Sequence, residues 1–169
     1  MSLSMYQASV PVYMRILKNL VAILEKGAAH AEAKKIDPSV LLQSRLFPDM
    51  FPLARQVQIV SDNAKGSCAR LAGVDVPKYE DTETTFAELI ERLRKTSAFL
   101  ETLSPAHFEG SETRTVTLPT RNGNMEFVGQ PYLLGFALPN GFFHAVTAYN
   151  ILRHNGVELG KMDFLGAVQ

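Results

Sequence analysis

The chain has a single cysteine, Cys68, so it has no partner for an intrachain disulfide, and one copy cannot build a thiolate metal cluster. Cys68 falls on the apolar stripe of a helix and reads as a buried structural thiol rather than a nucleophile. An excess of one charge is missing too. The formal net charge is zero, and no stretch gathers Lys and Arg without acids nearby, so the electrostatic footprint of a nucleic-acid binder is absent. No apolar run reaches the roughly 18 residues of a membrane span. The N-terminus lacks the basic, apolar and small-residue regions of a signal peptide, and a soluble, cytoplasmic protein without membrane partners is expected. Neither GxGxxG nor GxxxxGK followed by Ser or Thr occurs, which leaves nucleotide cofactors without support. Without a GxSxG elbow, no Ser-His-Asp order can be defended.

What is present suits one globular domain over residues 1–169, with 46% hydrophobic content to fill its core. Val10, Tyr13, Leu17, Leu20 and Leu24 recur in steps of three and four, which predicts an amphipathic helix from Tyr6 to Ala28. Gly27 and the polar run Glu32 to Lys35 should close it. Asp37 and Pro38 supply an N-cap and first-turn proline for a short helical piece. A second long helix carries the stripe Leu53, Val57, Val60, Ala64, Cys68 and Leu71, with Gln58, Asp62 and Lys65 to one side and Gly73 as its stop. Thr85 and Glu88 fit a capping box ahead of a third helix through Leu103. Between Ser111 and Val128 the period changes to two, and Asn122-Gly123 marks the turn of a β-hairpin. The final helical region, Gln130 to His154, should kink or restart at Pro139-Asn140-Gly141. The tail from Gly160 to Gln169 reads as a closing strap anchored by Phe164 and Leu165. The fold class is mainly α: four long helices with a small hairpin between the third and the fourth.

Three segments carry a family resemblance. The string FFHAVTAYNILRHNGVELGKMDFLG, Phe142 to Gly166, resembles the C-terminal signature of the domain-of-unknown-function family nineteen-ninety-three, within the DinB-like superfamily. DMFPLARQVQIVSD, Asp49 to Asp62, and the stretch from Gly129 through Leu133 are similar to that family as well. The resemblance implies an up-down-down-up four-helix bundle, a homodimer, and ancestry shared with metalloenzymes, some of them thiol-dependent transferases or isomerases.

Metal sites of DinB-like proteins use one histidine on the second helix and two spaced by four on the last, because residues i and i+4 project from one helical face. Laid on that pattern, His144 is the second member of the last-helix pair and Asn140 stands at its partner position. The second helix has no histidine; its nearest candidates are Gln58 and Asp62. Amides bind zinc or nickel poorly compared with imidazole or carboxylate.

His144 therefore has three readings: a core histidine hydrogen-bonded to Gln58, Asp62 or a carbonyl, a metal ligand, or a base working without metal. Asp62 is a weak metal candidate, or else a flank carboxylate paired with Lys65. His154 lies about 15 Å along the helix from His144 and reads as a C-terminal cap, with Asn155-Gly156 as the stop. His30 and His107 are expected as surface imidazoles in connecting segments. Arg55 and Arg153 are expected in salt bridges or carbonyl contacts. Tyr149, Phe142 and Val146 share one face of the last helix; an apolar helix with two covered sides favours a two-fold dimer.

The expectation is a bundle dimer with a polar pocket around His144, Asn140, Gln58 and Asp62 that binds a small ligand or keeps a degenerate site for a divalent metal (zinc, nickel or iron). The alternatives are a metal-dependent thiol transferase or isomerase, and a non-catalytic structural or interaction protein.

Overall fold

The first apolar stripe folds as α1, Met5–Lys34, which opens with a capping box between Ser4 and Gln7 and ends at Lys35 in the left-handed conformation. The helix is longer than its periodicity predicts. Gly27 is not a stop: a Cβ there would lie 3.1 Å from Leu152 and Phe86, so its missing side chain lets two other elements approach. His30 therefore sits inside α1 and not in a connection. The computed structural model describes residues 3–120 and 122–167.

Asp37 caps α2, Pro38–Gln43, by accepting from the Ser39 amide at 2.9 Å. The second stripe forms α3, Leu53–Ala72, with Leu53, Val57, Val60, Ala64, Cys68 and Leu71 all buried and Gly73 left-handed at its end. Burial pushes the Cys68 thiol well above its ordinary pKa, which makes it a poor nucleophile. The Thr85 box starts α4, Phe86–Glu101: Thr85 Oγ1 accepts from the Glu88 amide at 3.2 Å, and Glu88 Oε2 accepts from the Thr85 amide at 2.9 Å.

After a 3₁₀ turn at Pro105–Phe108, β1, Thr115–Thr120, pairs antiparallel with β2, Gly123–Val128, setting Val116 opposite Phe127. Arg121, in the expected turn, lies outside the described residues. A two-stranded ribbon is marginal alone, and this one rests on the helices. Val116 is buried, Phe127 stacks among Tyr132 and Phe136 at 5.4 and 5.3 Å, and Arg114 donates to the Leu71 carbonyl at the end of α3.

The last helix runs as α5, Gly129–Tyr132, a π-helical turn at Leu133–Ala137, and α6, Leu138–His154. The expected irregularity is present, displaced a turn ahead of Pro139. Proline offers no N–H and crowds the carbonyl four residues back, so the chain widens there instead of breaking. A strap helix, α7, Lys161–Leu165, closes the described chain on α1 and places Phe164 edge-on to Tyr149 at 6.3 Å. The last two residues of the expected strap lie outside the described part.

Packing is pairwise: α1 against α4, and α3 against both α4 and α6, around one continuous apolar cluster. Tyr13 from α1 reaches α3, donating to Asn63 Oδ1 at 2.9 Å. Among the described residues no helix is long and apolar enough to cross a membrane.

Candidate functional site

Where α3 and α6 cross, α3 turns Gln56, Val60, Asn63 and Ser67 toward α6, a line that recurs at the helical spacing of four and three. Gly141 of α6 makes the approach close: a Cβ there would stand 2.7 Å from Asn63 Oδ1 and 3.1 Å from the Tyr13 ring. One turn further along α6, half-buried His144 places Nδ1 2.6 Å from Gln56 Oε1.

Gln56 is buried, and its own bonds fix the imidazole. Its amide nitrogen donates to the Phe51 carbonyl at 3.0 Å, so its oxygen is the atom left facing His144, and an amide oxygen only accepts. Nδ1 of His144 therefore carries the proton and Nε2 presents a lone pair. That lone pair meets no hydrogen-bond partner among the described residues. Since none of their buried side-chain nitrogens or oxygens is unpartnered, Nε2 reaches solvent. Burial first, and the Arg55 cation second, hold the His144 pKa below its ordinary value. The group is a neutral imidazole at pH 7 with one nitrogen anchored and one open, able to accept a hydrogen bond, take a proton or bind a Lewis acid. Phe143 stands edge-on to the ring at 5.1 Å.

Of the expected pocket residues, only His144 and Asn140 fall here. Asn140 is half-buried, one turn before His144, and its side chain makes no hydrogen bond to the described residues. Gln58 and Asp62 belong to a different cluster on the side of α3 that faces residues 73–85 and α4. Gln58 donates to Glu83 at 2.9 Å and accepts from Arg55 at 3.2 Å. Asp62 binds Lys65 at 3.0 Å, as the flank-carboxylate reading expects, and also Arg92 at 2.8 Å. The partner of His144 is thus Gln56, which the sequence reading passed over. Two residues along a helix is a rotation of about 200°, enough to exchange one face for another. The signal that finds it is the polar spacing of Gln56, Asn63 and Ser67 beside the apolar stripe.

Sequence reasoning also missed Arg92. It is almost fully buried, and its guanidinium gathers Asp62, Asp81 at 2.9 Å, Glu83 at 2.9 Å, the Glu80 carbonyl at 2.9 Å and Ser61 Oγ at 3.2 Å. Arg55 pairs with Asp81, and Arg153 reaches the Val157 carbonyl at 3.5 Å, both in structural contacts as expected. His154 does not cap α6 with its ring: Asn155 does so, donating to the Ile151 carbonyl at 2.7 Å, and Gly156 takes the positive φ. His107 sits in the 3₁₀ turn, its Nδ1 accepting from the Ser104 amide at 3.0 Å.

A three-histidine metal centre does not fit these residues. Among those described, no three His, Cys, Asp or Glu side chains converge. Both amide atoms of Gln56 are already committed, so the donors near Nε2 reduce to one imidazole and the Asn140 amide, a weak set for first-row metals. Neither the groove along α1 nor the hollow beside Tyr79 includes His144 in its lining.

The comparisons with known proteins agree with this architecture. None of the curated proteins matches the chain. Among solved structures, the crystal structure of a DinB family member from Shewanella denitrificans superposes with a TM-score of 0.91 at 47% sequence identity, covering 96% of this chain and 92% of that one. The model of the domain of unknown function DUF1993 matches residues 5–165. With the family model spanning nearly the whole bundle, the hairpin and the strap, the chain belongs to the DUF1993 family.

Proposed function

We propose that this protein is a homodimeric small-ligand-binding bundle that takes a hydrogen-bond donor at His144 Nε2, without requiring a metal. The observation that carries the reading is the asymmetric imidazole: Nδ1 is locked by Gln56, while Nε2 is neutral, unpartnered and open. A histidine that serves only packing gains by satisfying both nitrogens; one that meets a ligand keeps an atom free. The up-down-down-up course is part of the same reading. It is supported by the meeting of Tyr13 with Asn63, Gly27 with Phe86 and Leu152, and Ser61 with Thr96. The dimer draws its support from the outward residues Phe142, Phe143 and Val146 of α6, all more than a third exposed. Because Phe143 also touches His144, the subunit contact would border the site.

The test is a thermal-shift panel of small acids, phenols, amides and thiols on wild-type protein and His144→Ala, each with and without zinc, nickel or iron. A compound that raises the wild-type midpoint without metal and loses its effect in the variant supports the reading, since a ligand stabilises the state it binds. Shifts that demand a metal and vanish in the variant would put a metal-dependent transferase in its place. A flat panel on two folded proteins would leave the non-catalytic interaction reading standing.

A further inference from the structure

Two of the three groups in the relay at His144 have no fixed polarity of their own. A neutral imidazole carries its proton on either nitrogen, and a glutamine amide turned over exchanges its oxygen for its amino group. The third group, the Phe51 carbonyl, only accepts. It therefore sets the direction of the whole relay. Gln56 Nε2 donates to it at 3.0 Å, Gln56 Oε1 is left facing His144, and Nδ1, 2.6 Å from that oxygen, holds the proton. Turned over, the amide would aim its oxygen at the Phe51 oxygen, acceptor against acceptor, and its amino group at Nδ1. Nδ1 would then have to accept, and the proton would sit on Nε2.

What holds the Phe51 carbonyl is a loop, residues 44–52, between α2 and α3. Its ends meet where the Leu53 amide, the first of α3 and without a partner inside the helix, donates to the Ser44 carbonyl at 2.9 Å. Within the loop the Met50 amide donates to the Phe47 carbonyl at 3.0 Å. One Arg45 nitrogen donates to the Pro48 and Met50 carbonyls at 3.3 and 3.2 Å. Pro52, the N-cap residue of α3, biases Phe51 toward extended backbone and so aims its carbonyl. None of residues 44–52 is buried, and Phe47 and Phe51 are 63% and 53% exposed. The loop is thus pinned by a few polar contacts, whereas Gln56 behind it is anchored in the bundle. A segment held in that way moves at a lower free energy than the elements it joins.

We propose that loop 44–52 is the positioning element of the His144 site, with Arg45 and Phe51 as its positioning residues. Seated, the loop makes Nε2 an acceptor; displaced, it lets Gln56 turn over and makes Nε2 a donor. One site then takes ligands of opposite hydrogen-bond polarity. The proposal rests on the reading of His144 as the ligand-facing group, but the tautomer is measured without a ligand.

Heteronuclear spectra that correlate ring nitrogens with ring protons, on the full chain with isotope-labelled histidine at about pH 8, read the neutral tautomer directly. His144→Gln identifies the signal among the four histidines. Wild type is expected in the Nδ1–H form by about tenfold, the weight of one ordinary hydrogen bond. Arg45→Ala with Pro52→Gly loosens the loop; neither position is buried, and glycine is accepted at a helix N-cap. This variant should raise the Nε2–H fraction about fivefold with circular dichroism unchanged. Arg45→Ala alone, at an exposed position, should shift the ratio the same way by less. Adding Gln56→Glu to the double variant should restore the Nδ1–H form, because both carboxylate oxygens accept whichever way the group turns. A loop that serves the fold alone would move the urea midpoint and leave the tautomer in place. That result, or a failure of Gln56→Glu to restore it, overturns the proposal and leaves the His144 site standing. An Nε2–H wild type overturns both. A tautomer that follows the loop beside a flat thermal-shift panel would uphold the loop's control of the ring and remove the ligand reading.

Discussion

At the scale of single residues, His144 shows how one buried amide decides the chemistry of an exposed nitrogen. Its pKa is depressed by burial and by Arg55, so on acidification the unfolded chain takes up the proton first. Stability should be full above about pH 6.5 and fall as the pH drops through that value toward the folded pKa. His144→Gln should flatten this segment of the curve in urea titrations between about pH 7 and 5; an unchanged slope would show that the imidazole is not the group responsible. Gly129 supports a second prediction. A Cβ there would lie 1.8 Å from the Ser111 carbonyl oxygen, a backbone atom held by its own turn. Gly129→Ala should therefore cost about 3 kcal/mol or more, read from the denaturation midpoint. His144 was legible as the candidate residue because it stands alone in an apolar segment. Gln56 was not, since periodicity finds the stripe of α3 but does not fix which polar flank meets which neighbour.

At the scale of elements, the helices were legible wherever stripe and cap agreed, as at Thr85 with Glu88 ahead of α4. They were less so where tertiary packing decides. Gly27 reads as a stop locally, yet its small size is what α6 and Phe86 require, and α1 continues past it. The π turn before Pro139 depends on α5 being held by the hairpin while the turn itself and α6 are held against α3, a constraint no local window contains. Arg92 was hidden because its carboxylates come from α3 and from residues 73–85, outside its own helix. That connection carries Asp81 and Glu83 to Arg92 and so ties α3 to α4. Removing the cation would leave Asp62, Asp81 and Glu83 close together, with Lys65 and Arg55 as the remaining counter-charges. Arg92→Leu is expected to cost about 3 kcal/mol and to expose residues 73–85 to proteolysis. Resistance equal to wild type would mean that Arg55 and Lys65 suffice.

At the scale of the whole molecule, exposed apolar side chains occur along the described chain from Leu3 to Leu165, and three of them fall together on α6. Phe143 is 56% exposed, with Phe142 and Val146 at 38% each, on a helix whose other side is the bundle core. Single exposed apolar residues are ordinary, but a contiguous row on one helix marks a contact surface. The row is free of charged residues from Leu138 to Leu152, so a two-fold axis there would bring no like charges of α6 together. Sedimentation at micromolar concentration should show a dimer. Phe143→Glu with Val146→Glu should raise its dissociation constant at least about a hundredfold, because two apolar anchors are replaced by charges that repel across the axis. Circular dichroism should stay unchanged, since both positions point away from the core. A wild-type chain that sediments as a monomer throughout would remove the dimer from the functional reading. It would also leave the rim of His144 open to solvent on the side where Phe143 stands.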